Sequence, residues 1–309
     1  MARPYPIDRL ENSEIKKGLV ATGVDENLID DVLRQFWFQD YHNSFVSFPE
    51  YYEVLKQYLS QEKPKTFSRP VFYDFFYRTI LGKNYDQVIP NLRKLALAFE
   101  SAHTDRILVS KFSQAIKNLG GLDGFITLQS LVDLKLATIE EIKDITENSY
   151  FVWKHHTLTE SLASEEILLN SDQSKYAASK MILEKDGVVA FKNSWYGTLR
   201  FLLEGDNGPI FSEFLLDLGT KYPDNIDDQY TETLLWPNPS RLSEGVRSSI
   251  FELLYGRYQT QRLWIRYRTM SEPVLSQLTS QLYDFFTSSI NSKEVLVLRP
   301  LLLPNWNTP

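Results

Sequence analysis

Apolar side chains recur along this chain at helical spacing, and the recurrence is broken by proline, glycine and polar runs. After Asp25, a predicted N-cap, Leu28, Ile29, Val32, Leu33, Phe36 and Trp37 fall on one buried helix face. Ser47-Phe48-Pro49-Glu50 has capping-box spacing with proline in the first turn, where its missing N–H costs nothing. Tyr51, Leu55, Tyr58 and Leu59 line the face that follows, and Gln61 to Thr66 reads as a polar loop. Another helix is expected from Ser68-Arg69-Pro70, carrying Val71, Phe72, Phe75, Phe76 and Ile80 before Gly82. Val88, Ile89, Leu92, Leu95, Ala96 and Phe99 form the next face. Ile107, Leu108, Phe112, Ala115, Ile116 and Leu119 form one more, closed by Gly120-Gly121.

Thr138-Ile139-Glu140-Glu141 repeats the capping-box spacing and predicts a long helix through Ile142, Ile145, Val152 and Trp153. The pattern then weakens between Gly187 and Gly205, where Val188 to Phe191 suits a short strand or a helical turn equally. Ile210, Phe211, Phe214, Leu215 and Leu218 return to helical spacing, with Gly219 as the expected stop. Residues 221–241 accumulate proline, aspartate and asparagine and read as a long loop. Helices over 243–268 and 271–290 follow. The tail VLVLRPLLLPNWNTP is too apolar to be solvated and too rich in proline to be helical, so it is expected to lie extended against the body or a partner. These elements predict a mainly α, multi-helical globular fold with at most a minor β component. They are read as a single helical domain over 1–309, with a seam at 221–241.

Composition changes this picture in three ways. Aromatic residues make up 14% of the 309, an unusual content that does not choose among cores, interfaces and apolar pockets, since they serve all three. The formal net charge of −7 argues against general nucleic-acid affinity, which needs a basic footprint. The absence of cysteine excludes disulfides, thiolate metal sites and cysteine nucleophiles, and favours a cytoplasmic location. No apolar stretch follows Arg3 as in a signal peptide, and no apolar run reaches transmembrane length, so a soluble protein is expected.

Phosphate-cradling glycine loops, a G-x-S-x-G elbow, H-E-x-x-H and an EF-hand loop are all missing. Imidazole chemistry must use His42, His103, His155 or His156. Glu100 and His103 have E-x-x-H spacing, which places two metal ligands on one helix face in carboxylate-bridged bundles, although no second copy exists. His103 also continues the stripe of Phe99 near a helix end, where it packs or caps carbonyls. On a helix, His156 shares a face with Val152 and Trp153, and Glu160 lies one turn further on. Glu100, His103, His156 and Glu160 are therefore the candidate catalytic groups, with His103 and His156 the candidate metal ligands. The acidic run Asp224, Asp227, Asp228 and Glu232 matches no known cation loop and reads as solvated turn residues.

A second candidate is RYQTQRLWIRYR, where Tyr258, Arg262, Arg266 and Arg268 interleave arginine with aromatics. Such a helix suits a phosphate, a carboxylate, a stacked base or a partner surface, or else pairs with the surplus acids. Two functions follow as expectations. One is a non-catalytic interaction or adaptor protein that presents this helix and the apolar tail to a protein partner. The other is a helical enzyme, metal-assisted or not, acting on a hydrophobic or aromatic small molecule. No cofactor is specified by either reading.

Overall fold

The computed structural model describes residues 9–37, 45–118, 127–141, 149–169, 181–185, 188–206, 208–222, 230, 233–234 and 242–261. The fold is mainly α, with two small antiparallel sheets. It divides into two compact units, the first ending at Glu166 and the second beginning at Ile167.

In the first unit, α1 (Asn12–Val20), α2 (Glu26–Trp37), α3 (Pro49–Glu62), α4 (Arg69–Leu81) and α5 (Tyr85–Ala102) follow one another. Proline stands in the first turn of α3 and of α4, as its fixed φ and missing donor require. Between α2 and α3 a short 3-10 helix, Phe45–Ser47, is buried. Phe45 is the hub of the core: its ring stacks on Tyr51 at 4.2 Å and meets Phe72 and Phe76 edge-on at 6.2 and 5.3 Å. Phe36, Tyr58, Phe67 and Tyr73 extend this cluster without a break. Each well-oriented aromatic pair adds roughly 0.5–1.5 kcal/mol beyond area burial, so the abundance of rings has a structural use.

The chain then builds β1 (Arg106–Leu108), α6 (Val109–Asn118), α7 (Leu128–Asp133), β2 (Ala137–Glu141), β3 (Ser149–Trp153) and α8 (His156–Leu168). The strand order is β1-β3-β2, both pairings antiparallel, with Ile107 and Ile139 flanking Phe151. This corrects the long helix expected from Thr138 through Trp153. Residues 149–153 alternate in burial at strand period, with Phe151 and Trp153 inward against Phe99 and Phe112. Thr138, Ile139, Tyr150, Phe151 and Val152 are residue types that pack best on a pleated surface. The Thr138–Glu141 spacing is thus accidental, and the true box lies upstream: the Thr127 hydroxyl accepts from Ser130 N–H, and the Ser130 hydroxyl accepts from Thr127 N–H. Ile107 and Leu108, expected to be helical, form β1 instead.

In the second unit, β4 (Ile182–Lys185) pairs with β5 (Val188–Phe191), which settles the short apolar run as a strand. α9 (Tyr196–Glu204), α10 (Gly208–Lys221) and α11 (Glu244–Gln261) follow. From Gly197 to Leu203 every residue of α9 is buried. Gly219 lies inside α10 and does not stop it. Tyr230 is buried and its hydroxyl donates to Leu215 O at 2.6 Å. Most of the 221–241 segment, the helix expected over 271–290 and the tail at 295–309 lie outside the described residues.

Candidate functional site

Among the described residues, chemistry-bearing side chains gather where β3 gives way to α8. Lys154 N–H still bonds Leu136 O at 3.0 Å, and the chain then turns so that His155 becomes the N-cap of α8. Its Nδ1 accepts the backbone N–H of Thr157 at 3.2 Å, satisfying a donor that a helix start leaves open. Since that N–H can only donate, Nδ1 carries the lone pair. The Thr157 hydroxyl, 2.8 Å away, therefore donates to it as well, and the Tyr73 hydroxyl donates to Thr157 Oγ1 at 2.6 Å. Phe45 and Phe48 meet the imidazole edge-on at 5.6 and 5.9 Å, and His156 stacks on it at 4.4 Å.

The polar seam continues along α8. Tyr77 bonds Leu158 O at 3.1 Å and Ser161 Oγ at 2.8 Å, and complete burial pushes its hydroxyl well above the ordinary phenol value. Tyr51 donates to Lys135 O at 2.7 Å, and burial raises it likewise. These phenols are neutral donors at neutral pH. Beside them Lys154 pairs with Glu50 and lies over the rings of Phe48 and Tyr51, 5.5 Å from each centroid. Burial pushes the Glu50 carboxyl up, but the Lys154 hydrogen bond and charge pull it further down, so it stays below the usual carboxylate value. Arg9 covers Phe48 at 5.0 Å.

The residues singled out by spacing are placed differently. Glu100 is in the last turn of α5, whereas His103 lies just beyond it in the left-handed conformation (φ 49°, ψ 43°), its N–H bonded to Glu100 O at 3.1 Å. His103 is exposed and has left the helical face that the E-x-x-H spacing assumed. His156 is the first residue of α8 and exposed, and Glu160 stands one turn on. Val152 and Trp153 belong to β3, so the single helix face expected to join them to His156 does not exist. Arg93 Nε of α5 and Glu165 of α8 do form an ion pair at 2.7 Å. Among the described residues, however, no three histidine or carboxylate side chains converge as metal ligands would. Tyr258 is within α11, its side chain outside the described set, and Arg262, Arg266 and Arg268 lie outside the described residues altogether.

The histidine that the fold buries at the helix start is thus His155, while His156 is exposed. No sequence signal marks it, since histidine is not among the residues favoured at helix N-caps and the bond runs to a backbone N–H that any residue at 157 would supply. Among the described residues, the large apolar side chains exposed to solvent are Val20, Val71, Ile139, Leu169 and Ile210, none of them aromatic. No helix among the described residues is long and apolar enough to cross a membrane. No known protein-family model matches the chain in sequence, and no curated protein does.

Proposed function

We propose that this chain is a non-catalytic interaction protein acting in the cytoplasm on a protein partner. The observation that supports the reading is the use made of groups capable of acid–base chemistry. His155 is held as a helix cap, and the hydroxyls of Tyr51, Tyr73 and Tyr77 are bonded to a backbone carbonyl, to Thr157 and to Ser161. Each of these groups has a hydrogen-bond partner within the fold. The sequence features left to meet a partner are the arginine–aromatic run containing Tyr258, Arg262, Arg266 and Arg268, and the apolar tail. Arginine, tyrosine and tryptophan are the usual anchors of protein interfaces.

Cross-linking in cells that carry the tagged full chain tests this. The expected result is a reproducible protein partner whose capture survives His103→Ala/His156→Ala and drops in Arg262→Ala/Arg266→Ala. Loss of cellular activity in the histidine variant, with partner capture intact, overturns the reading in favour of a helical enzyme.

A further inference from the structure

The two edges of the β1-β3-β2 sheet are finished differently. Lys154 N–H bonds Leu136 O, and the register pairs Ala137 with Trp153 and Thr138 with Val152. In an antiparallel ladder, residues alternate between pointing their N–H and C=O at the partner strand and pointing them away. Thr138 and Glu140 therefore face β3, while Ala137, Ile139 and Glu141 present their backbone groups outward. By the same alternation Ile107 faces β3 from the other side, and Arg106 faces outward on β1. There the outward groups of Arg106 are sealed: its N–H donates to the Thr104 hydroxyl at 3.3 Å, and that hydroxyl donates to Arg106 O at 2.8 Å. β1 is also only three residues long. On β2, no described residue bonds the outward groups of Ala137, Ile139 or Glu141. The strand is exposed from Ile139 to Glu141.

We propose that the open edge of β2 receives an extended peptide bearing basic residues, which adds as a fourth strand beside β2. This deepens, and rests on, the interaction reading above. The backbone supplies the pairing and the side chains supply the choice of partner, as in strand addition generally. Glu140 and Glu141 stand exposed on opposite faces at the far end of the strand; Glu140 has only a 3.9 Å approach from Arg106, and Glu141 has no ion-pair partner among the described residues. A lysine or arginine on the incoming strand meets these carboxylates, and an apolar residue covers Ile139, which is 41% exposed. The same carboxylates, on a chain of net charge −7, disfavour pairing with a second copy of β2.

The test uses the full chain and a blocked peptide of about ten residues alternating lysine and valine, the length of one long strand. Binding is read by fluorescence anisotropy and by amide hydrogen exchange. The expected result is slowed exchange of the outward amides of Ile139 and Glu141, with affinity lowered about tenfold in Glu140→Lys/Glu141→Lys. Ile139→Pro deletes an outward donor without touching the bonds to β3 and weakens binding to a similar degree. The surface charge variant and the exchange readout remain decisive if the proline variant does not fold. Three results overturn the proposal: no binding, binding that leaves those amides unprotected, or concentration-dependent protection of them without peptide, which marks self-pairing. If partner capture in cells persists when the β2 variants lose nothing, the edge is not the site and the interaction reading stands. If capture itself is absent, that reading falls with it.

Discussion

His155 accepts the backbone N–H of Thr157 through Nδ1 at 3.2 Å, so an imidazole takes the place usually given to serine or aspartate at a helix start. The cap is buried among Phe45 and Phe48 and is reached by the Tyr73 hydroxyl through Thr157. Replacing it with alanine removes both the acceptor and the ring. His155→Ala is expected to lose about 2–3 kcal/mol in urea unfolding, of which the cap accounts for about 1. His155→Asn keeps an acceptor at the N-cap and recovers roughly that 1 kcal/mol. If alanine and asparagine prove equally destabilising, the cap is not what His155 contributes.

Glu50 and Lys154 give a pH dependence whose sign is fixed by the lowered carboxyl. A carboxyl held below its ordinary value of 4.5 is less protonated in the folded chain than in the unfolded one. Its contribution is present above 4.5 and is lost as pH falls through the depressed folded value. Glu50→Gln therefore leaves the buried Lys154 ammonium without its charge partner and lowers the urea midpoint at pH 7. The wild-type advantage shrinks as the solution is acidified from above 4.5 through the lowered folded value. A constant difference across that range contradicts the assignment.

Glu165 has a cation beside it too, yet it shifts the other way. Burial, the larger cause, lifts it above 4.5 although Arg93 pulls it down. Its charged form is held at a cost, so stability is present at low pH and is lost as pH rises through the raised folded value. Relative to Glu165→Gln, the wild type gains stability as pH falls from neutral toward 4.5 and changes little below it. The two carboxylates thus act in adjacent windows on opposite sides of 4.5, and titrating the single variants separates them. A wild-type chain that loses ground to Glu165→Gln on acidification above 4.5 refutes the raised value.

Helices with one side facing solvent are legible in the sequence, because burial of one face forces the 3.6-residue period seen in α2 through α5. α9 is not legible, for the converse reason: with every side buried from Gly197 to Leu203 there is no polar face to set a phase. β2 and β3 are masked because isoleucines at 139, 142 and 145 imitate helical spacing, and a T-x-x-E match competes with the alternation of Ser149 to Trp153. At the candidate site, spacing selects His156 because Glu160 lies four residues on. The chain's turn out of β3, which no local pattern announces, is what points His155 inward instead. Edge status is likewise invisible in a sequence, since it depends on which strands pair and on a threonine two residues before Arg106.

Two glycines in the second unit separate close approach from simple cost. A Cβ built on Gly208 would sit 2.0 Å from Leu203 O, a backbone atom at the end of α9 that cannot rotate aside. Gly208→Ala therefore forces α9 and α10 apart at their joint, and a loss of about 2 kcal/mol or more is expected, of the size seen for overpacked sites. Gly256 stands within α11, and a Cβ added there meets no described atom within 4 Å. Gly256→Ala gains the helix propensity that glycine forfeits, roughly 0.5–1 kcal/mol. Thermal unfolding of the two variants should move in opposite directions from the wild type. A stabilised Gly208→Ala chain shows that the two helices do not meet as closely as Leu203 and Gly208 require.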